Sequence, residues 1–139
     1  MICLDTNVII EILNEKTTRV RERLEAALKG ENEIVISAVV YAELWYGVGK
    51  SAHPERNARR IEDFMGLGIE VLDFGPEDAR ESGLIRAMLA RAGTPIGPYD
   101  VLIAAQARRR DAVLVTANGR EFVRVPGLKT EDWTLPLGV

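Results

Sequence analysis

Short apolar segments alternate along this chain with longer segments in which apolar residues recur every three or four positions. The short segments are typical of buried β-strands, and the longer ones are typical of amphipathic helices. The predicted strands are residues 1–4, 33–36, 69–72, 112–116 and 128–131, and the predicted helices are residues 6–14, 17–29, 37–50, 54–66, 76–92 and 98–110. This order favours an α/β fold, a three-layer α/β/α sandwich whose central parallel sheet is covered by helices on both faces.

Glycine, proline and hydroxyl side chains mark the ends of these predicted helices. The expected starts are Thr17 or Thr18, Ser37 and Gly75-Pro76, and the expected stops are Gly30, Gly66-Leu67-Gly68 and Gly93. No internal repeat, low-complexity segment or linker interrupts the pattern, so residues 1–139 are expected to form a single domain.

Four acidic residues stand where a predicted strand ends or where a predicted helix turns a face to the core: Asp5, Glu43, Asp100 and Glu121. Open parallel sheets bind their ligands beyond the carboxyl ends of the strands. If the sheet is parallel, these side chains converge there on one oxygen-rich pocket, which suits a hard divalent cation. The sequence therefore predicts a metal-dependent nuclease.

Each carboxylate also has a purely structural interpretation. Asp5 follows the apolar segment Ile2-Cys3-Leu4 and precedes a predicted helix, so a helix cap is the alternative role. Glu43 is the only charged residue between Glu33 and Lys50, and its helix face is largely apolar. An unpaired carboxylate there would cost several kcal/mol. Glu43 therefore requires a cation, a hydrogen-bond partner or an edge position that reaches water.

Asp100 lies in a loop with two prolines that leads into an apolar helix. Gly97 and Pro98 suit the cap and the first position of that helix, which places Asp100 in the first turn, where the helix dipole favours negative charge without any metal. Asn118 begins a strong Asn-Gly turn signal after the strand 112–116, in a segment expected to form a turn or short helix. Glu121, in the same segment, could equally be a solvated surface residue.

The chain resembles the PIN-domain ribonucleases, and in particular the VapC-type toxins of type II toxin–antitoxin systems. The matching segments span nearly the whole chain: Leu4-Asp5-Thr6-Asn7, Ile36-Ser37-Ala38-Val39, Ala42-Glu43-Leu44 with Tyr46-Gly47, residues 93–107 and residues 115–133. The loop Gly-Thr-Pro-Ile-Gly-Pro-Tyr-Asp and the tail Val-Pro-Gly-Leu look like those of the toxins that cut initiator tRNA in its anticodon region.

What the resemblance implies is an α/β/α sandwich whose acidic residues hold Mg²⁺ or Mn²⁺ and hydrolyse phosphodiester bonds in RNA. Asp5 and Asp100 correspond to the main metal ligands and Glu43 to an acid carried on a helix. Glu121 with Asn118 fills the last position, at which family members use one residue or the other. Neither departure from the family pattern, Ala117 for a polar residue and Gln106 for a histidine, falls on a metal ligand.

The resemblance also implies a VapB-type antitoxin as partner and a homodimer. Two helices offer more apolar surface than a small sandwich needs. That surface would receive an antitoxin segment, which would lie along a groove beside the active site, and other helices would form the homodimer. The residues concerned are Tyr41, Trp45 and Tyr46 on one helix and Val8, Ile9, Ile12 and Leu13 on the other. Core packing is the alternative, and it fits Val8 and Ile12 better than it fits Trp45.

Composition is that of one soluble domain with a sizeable core, since 47% of the 139 residues are hydrophobic and 28% are charged. No segment approaches a membrane span and no signal peptide opens the chain, so a cytoplasmic location is expected. A single cysteine, Cys3, excludes an internal disulfide and a thiolate cluster. The single histidine, His53, is expected at the surface. The motifs of P-loop hydrolases, dehydrogenases, serine hydrolases and zinc sites are missing.

The formal net charge of −3 is unusual for an enzyme of nucleic acids, and the clustered acids would account for it. Arg86, Arg91 and Arg120 flank the acidic segments and are candidates for facing RNA, although solvated helix faces are the simpler interpretation for most arginines of this chain. Two other functions fit the same acids. One is a carboxylate-metal phosphatase, and the other is a catalytically idle PIN-like or flavodoxin-like binding module.

Overall fold

The computed structural model describes residues 1–14 and 18–136, so the predicted helix start at Thr17 lies outside the described residues. The elements, in chain order, are β1 (Ile2–Leu4), α1 (Thr6–Asn14), α2 (Thr18–Lys29), β2 (Ile34–Ser37), α3 (Ala38–Lys50), α4 (Pro54–Met65), β3 (Glu70–Leu72), α5 (Pro76–Arg91), α6 (Pro98–Arg109), β4 (Val113–Val115), α7 (Gly119–Phe122) and β5 (Lys129–Glu131).

Every predicted strand and helix is present, and its described ends lie within one residue of the predicted ones. Local signals explain this agreement. Ser37 caps α3, because its hydroxyl accepts a hydrogen bond from the Val39 backbone N–H at 3.1 Å, and Gly75 precedes the proline that opens α5. The segment after β4 forms the short helix α7. No helix within residues 1–14 and 18–136 is long and apolar enough to cross a membrane.

The sheet is parallel throughout, with the strand order β3-β2-β1-β4-β5, and helices flank it to complete the α/β/α sandwich. From β1 the chain steps outward through β2 to β3 and then returns to the other side of β1 as β4 and β5. The order therefore reverses between β1 and β4, where open α/β sheets form their ligand crevices. Leu4 pairs with Val115, so the residues that follow these two strands are neighbours.

The core consists of the strands and the inner faces of the helices. All four residues of β2 are buried, as are Leu114 and Val115 of β4. Cys3 is buried in this core, as predicted, and burial raises the pKa of its thiol to about 11. His53 is exposed at the start of α4, as predicted.

The strand β5 forms one edge of the sheet, and all three of its residues are exposed. Its charged side chains are paired with other elements. The Lys129 ammonium lies 2.8 Å from a carboxylate oxygen of Asp111, and Arg23 of α2 forms an ion pair with Glu131. The edge is therefore lined by fixed charges.

A buried carboxylate joins α5 to α6. The Oδ2 atom of Asp78 accepts hydrogen bonds from the Gly75 backbone N–H at 2.9 Å and from Gln106 Nε2 at 3.2 Å. Its Oδ1 atom accepts from Arg109 Nε at 2.7 Å, and Gln106 Nε2 also donates to the Asp73 carbonyl at 2.8 Å. These bonds fix the carboxyl-terminal half of α6 against α5 and the end of β3.

Replacing this carboxylate should destabilise the protein. Asp78→Ala leaves the Gln106 amide and the Arg109 guanidinium without their acceptor, so we expect the free energy of unfolding to fall by about 3 kcal/mol. Glu77→Ala is the matched control, because that carboxylate also binds Arg109 but is 81% exposed, and its loss should change stability by less than about 1 kcal/mol. Urea unfolding measures both, and equal effects of the two substitutions would contradict the expectation.

Candidate functional site

Asp5 stands directly after β1, at the reversal of the strand order, and is only 5% exposed. Its Oδ1 atom accepts a hydrogen bond from the Thr6 backbone N–H at 2.9 Å, and its Oδ2 atom accepts from the Thr116 hydroxyl at 2.8 Å. Burial raises the pKa of Asp5, and these two hydrogen bonds oppose the rise. Each carboxylate oxygen accepts one hydrogen bond and keeps lone pairs for a further ligand. Although Asp5 lies at the start of α1, its carboxylate can therefore bind a further ligand.

Glu43 reaches the same end of the sheet from α3. The side chain is half-buried, and its Oε1 atom accepts a hydrogen bond from the Thr6 hydroxyl at 2.8 Å. Thr6 thus binds Glu43 through its side chain and Asp5 through its backbone. The largely apolar face of α3 tolerates this acid because the hydroxyl supplies the hydrogen-bond partner that its position requires.

Asp100 lies in the first turn of α6, and its carboxyl group hydrogen-bonds with that of Glu121 from α7. Burial raises the pKa of Asp100 to about 6. The charges of Asp5, Glu121 and Glu43 add to the rise, as does the hydrogen bond that the protonated Asp100 carboxyl donates to the Glu121 carboxylate. All four acidic side chains therefore act on one another at one end of the sheet. Two carboxyl groups in contact share a proton or bind a cation, because both cannot be ionised without strong repulsion.

Asn118 is placed differently from the four acids. Its backbone N–H donates to the Thr116 hydroxyl at 3.0 Å, and its carbonyl accepts from the Glu121 backbone N–H at 3.2 Å. It begins α7 without a capping hydrogen bond from its side chain. Asn118 thus shapes the turn that presents Glu121, in agreement with the turn chemistry read from the sequence.

Two hydroxyl residues of the site were not predicted from the sequence. Thr116 is buried and joins Asp5 to the turn before α7, and Thr6 joins Asp5 to Glu43. The available signal was their position, since Thr6 follows Asp5 and Thr116 ends the segment of β4. The proposed arginines Arg86, Arg91 and Arg120 are all exposed.

The arrangement fits a hard cation by its chemistry, since carboxylate oxygens are the donors that such ions prefer. Among residues 1–14 and 18–136, however, no three Asp, Glu, His or Cys side chains already form a group that could hold a metal ion. Binding one ion through three carboxylates therefore requires rotation of these side chains. The raised pKa of Asp100 favours a bound proton, and that proton is what a cation would replace.

The fold is that of a PIN domain. The family model described as PIN domain matches residues 2–128, and the chain belongs to this family. Within it, the chain is similar to the tRNA(fMet)-specific endonuclease VapC of Shigella flexneri, with 47% identity over 131 residues that cover 94% of this chain and 96% of that protein. The protein of the same name from Salmonella typhimurium is 45% identical over 130 residues, with the same coverage.

The chain is also similar to solved structures of VapBC proteins. The VapBC2 structure from Rickettsia felis bound to a promoter DNA fragment contains a chain that superposes with a TM-score of 0.89 at 37% identity, covering 96% of this chain and 99% of that chain. The DNA-bound VapBC structure from Salmonella typhimurium gives a TM-score of 0.87 at 45% identity, covering 95% and 97%.

Without metal, Asp100 should make stability depend on pH. Its pKa is about 6 in the folded protein against an ordinary value of 3.8. Between these values the folded state binds more protons than the unfolded state, so the free energy of unfolding falls as the pH rises. The carboxyl group is partly exposed, and solvent screening leaves an effect on the order of 1 kcal/mol.

Urea unfolding in EDTA at about pH 4.5 and about pH 7.5 measures this effect. Asp100→Asn should lose this part of the pH dependence and should be at least as stable as the wild type at the higher pH, since it removes one of the repelling charges. A variant that is clearly less stable than the wild type at the higher pH would show that the charge of Asp100 is not destabilising.

Proposed function

We propose that this chain is a metal-dependent endoribonuclease, a toxin of the VapC type that hydrolyses phosphodiester bonds in RNA. The observation that carries the proposal is the carboxyl pair Asp100–Glu121 beside the buried Asp5 at the strand-order reversal. The relatives named tRNA(fMet)-specific endonuclease VapC match nearly the whole chain. They support initiator tRNA as the target. The proposed cut in its anticodon region rests on the resemblance of the loop before Asp100 and the tail Val-Pro-Gly-Leu to those of the toxins that cut there.

Mg²⁺ or Mn²⁺ suits these donors, because both ions prefer oxygen ligands. Asp5 and Asp100 would be the main ligands, and Glu43 and Glu121 would orient water or hold a second ion. The contact between Glu121 and Asp100 supports Glu121 over Asn118 for the last position. When bound, the cation supplies positive charge that makes water a better nucleophile and neutralises charge developing on the phosphate.

Hydrogen bonds from neighbouring side chains orient the acids of the site. The hydroxyls of Thr116 and Thr6 fix Asp5 and Glu43, and such outer partners commonly account for about 10–100-fold in metal affinity or activity. Asp100 lies in the first turn of α6, where the helix dipole favours a nearby phosphate. The site is thus arranged for a negatively charged substrate despite its own acidity.

The two competing functions receive less support. A binding module that kept its acids for helix capping would have no use for Glu43, which binds a hydroxyl from the middle of α3, or for the contact of Glu121 with Asp100. A phosphatase would fit the carboxylates equally well. The names of the relatives, ribonuclease and endonuclease, support an RNA backbone as substrate instead.

A VapB-type antitoxin is the proposed partner, because the similar solved structures are VapBC complexes. The apolar surface suggested for it is smaller than expected, since Val8, Ile9 and Ile12 are core residues. Leu13, Tyr41 and Trp45 are half-buried against the core and Tyr46 is exposed. A homodimer and a cytoplasmic location stay predictions.

Incubation of the purified chain with Mg²⁺ and initiator tRNA, followed by mapping of the new 5′ ends, tests the proposed activity. We expect discrete cuts in the anticodon region that EDTA abolishes. Asp5→Asn and Asp100→Asn should lower the cleavage rate by about 100-fold or more, because each removes a metal-binding charge. Glu62→Gln, an exposed acid on α4, should cleave like the wild type. Intact RNA together with rapid turnover of phosphate monoesters would favour the phosphatase instead.

Gly97 should be needed for activity more than for folding. Its backbone angles, φ −55° and ψ 147°, suit any residue, but an added Cβ would stand 3.1 Å from Asp100 Oδ2. Gly97→Ala therefore displaces the carboxylate without straining the backbone, and we expect kcat/KM to fall by about tenfold to a hundredfold.

The matched control for this substitution is Gly75→Ala. Gly75 also caps a helix ahead of a proline, but a Cβ there meets nothing within 4 Å, so kcat/KM should be unchanged. Circular dichroism melting should place both variants close to the wild type. Full activity of Gly97→Ala would mean that the close approach does not position Asp100.

A further inference from the structure

A groove of about 900 Å³ opens beside the acidic cluster. Thr6 and Glu43 belong to its lining, so the groove is continuous with the cluster. Small side chains, among them Ala38, Ala42 and Gly47, also line it, and a Cβ added at Gly47 would meet nothing within 4 Å. Its volume is in the range of pockets for organic ligands. The groove therefore has room for a flat group next to the carboxylates.

Two exposed tyrosines also line this groove. Tyr46 is 69% exposed and Tyr99 is 60% exposed. Tyr99 immediately precedes Asp100, and Tyr46 lies three residues after Glu43 on α3, so each ring is attached to the turn that carries an acid. In contrast, Tyr41 and Trp45 of α3 are half-buried and contact each other edge to face, with ring centres 6.0 Å apart. The two tyrosines of the groove are thus open to a ligand.

The charges of the groove suit a nucleotide better than an apolar peptide. Its charged lining residues are Glu43 and Lys50. The Lys50 ammonium lies over one face of the Tyr46 ring, 4.8 Å from its centre. The backbone of Lys50 is about 10 Å along α3 from that of Glu43. An aromatic face next to a cation matches the base and the phosphate of one nucleotide. An apolar helix would bury Lys50 without a counter-charge, which is unfavourable.

We propose that Tyr46 and Tyr99 form a stacking platform for unpaired bases beside the scissile phosphodiester, and that Lys50 binds a neighbouring phosphate. The proposal rests on the ribonuclease function proposed above and adds how the site selects its RNA. Bases within a duplex are already stacked on one another, whereas the bases of a loop can be splayed onto aromatic side chains. The platform therefore selects unpaired RNA over duplex RNA.

A binding experiment tests the platform apart from cleavage. Fluorescence anisotropy measures the Kd of the full-length Asp100→Asn chain for the anticodon stem–loop of initiator tRNA. In this background Tyr46→Leu and Tyr99→Leu should each raise Kd by about tenfold, since a stacked ring contributes strongly to binding of single strands. Tyr46→Phe and Tyr99→Phe retain the ring and should stay within about twofold of the parent. Lys50→Gln should weaken binding and reduce its salt dependence.

A second variant, Gly47→Leu, fills the open space of the groove and should also raise Kd while leaving α3 intact, because leucine favours helices. Leu84→Ala is the control, because Leu84 is an exposed apolar residue of α5 that does not line the groove. A fully paired RNA duplex of the same length should bind equally to the Asp100→Asn chain and to its Tyr46→Leu and Tyr99→Leu variants.

Equal Kd values for the leucine and phenylalanine variants would overturn the platform. The ribonuclease proposal would then stand separately if the wild type still cuts this stem–loop and Asp100→Asn does not. A wild type that neither binds nor cuts the stem–loop would overturn both proposals. Leucine variants that bind RNA normally but no longer retain a co-expressed VapB-type antitoxin would overturn the platform and assign the groove to a protein partner.

Discussion

The site depends on holding carboxylates together that repel one another. Glu43, Asp100 and Glu121 come from three different helices and Asp5 from the junction of β1 and α1. Burial and the charges of the other three acids raise the pKa of Asp100 to about 6. The fold compensates for part of this repulsion through the hydroxyls of Thr6 and Thr116. A site that is strained without its ligand gains the most from a cation, because binding removes the repulsion that the empty arrangement retains.

The sheet order explains why these residues meet at all. A reversal between β1 and β4 leaves a crevice at the carboxyl ends of the two central strands. Asp5 and Thr116 are 111 positions apart in sequence but adjacent there. The helix α6 then connects two regions of the molecule, with Asp100 at its amino end and Gln106 and Arg109 bound to Asp78 near its other end. The position of one acid thus depends on packing that lies well away from it.

The strands, the helices and the end of the sheet at which the acids lie were largely predictable, because they follow from local sequence patterns. Hydrophobic period and helix-end residues locate each strand and helix, and a parallel sheet implies that Asp5 and Asp100 face one end. The hydrogen bonds of Thr6 and Thr116 were not predictable, since they depend on which side chains meet across the fold. Gly97 was read as a helix cap, but its close approach to Asp100 needs the coordinates of both residues.

The edge strand β5 limits how this protein can associate with others. An unpaired strand edge is a template onto which another chain can add a strand, and charged side chains along it discourage this. Here Lys129 and Glu131 are held in ion pairs with Asp111 and Arg23 along that edge. Assembly at this side of the molecule by extension of the sheet is therefore disfavoured, and quaternary contacts are left to the helical faces.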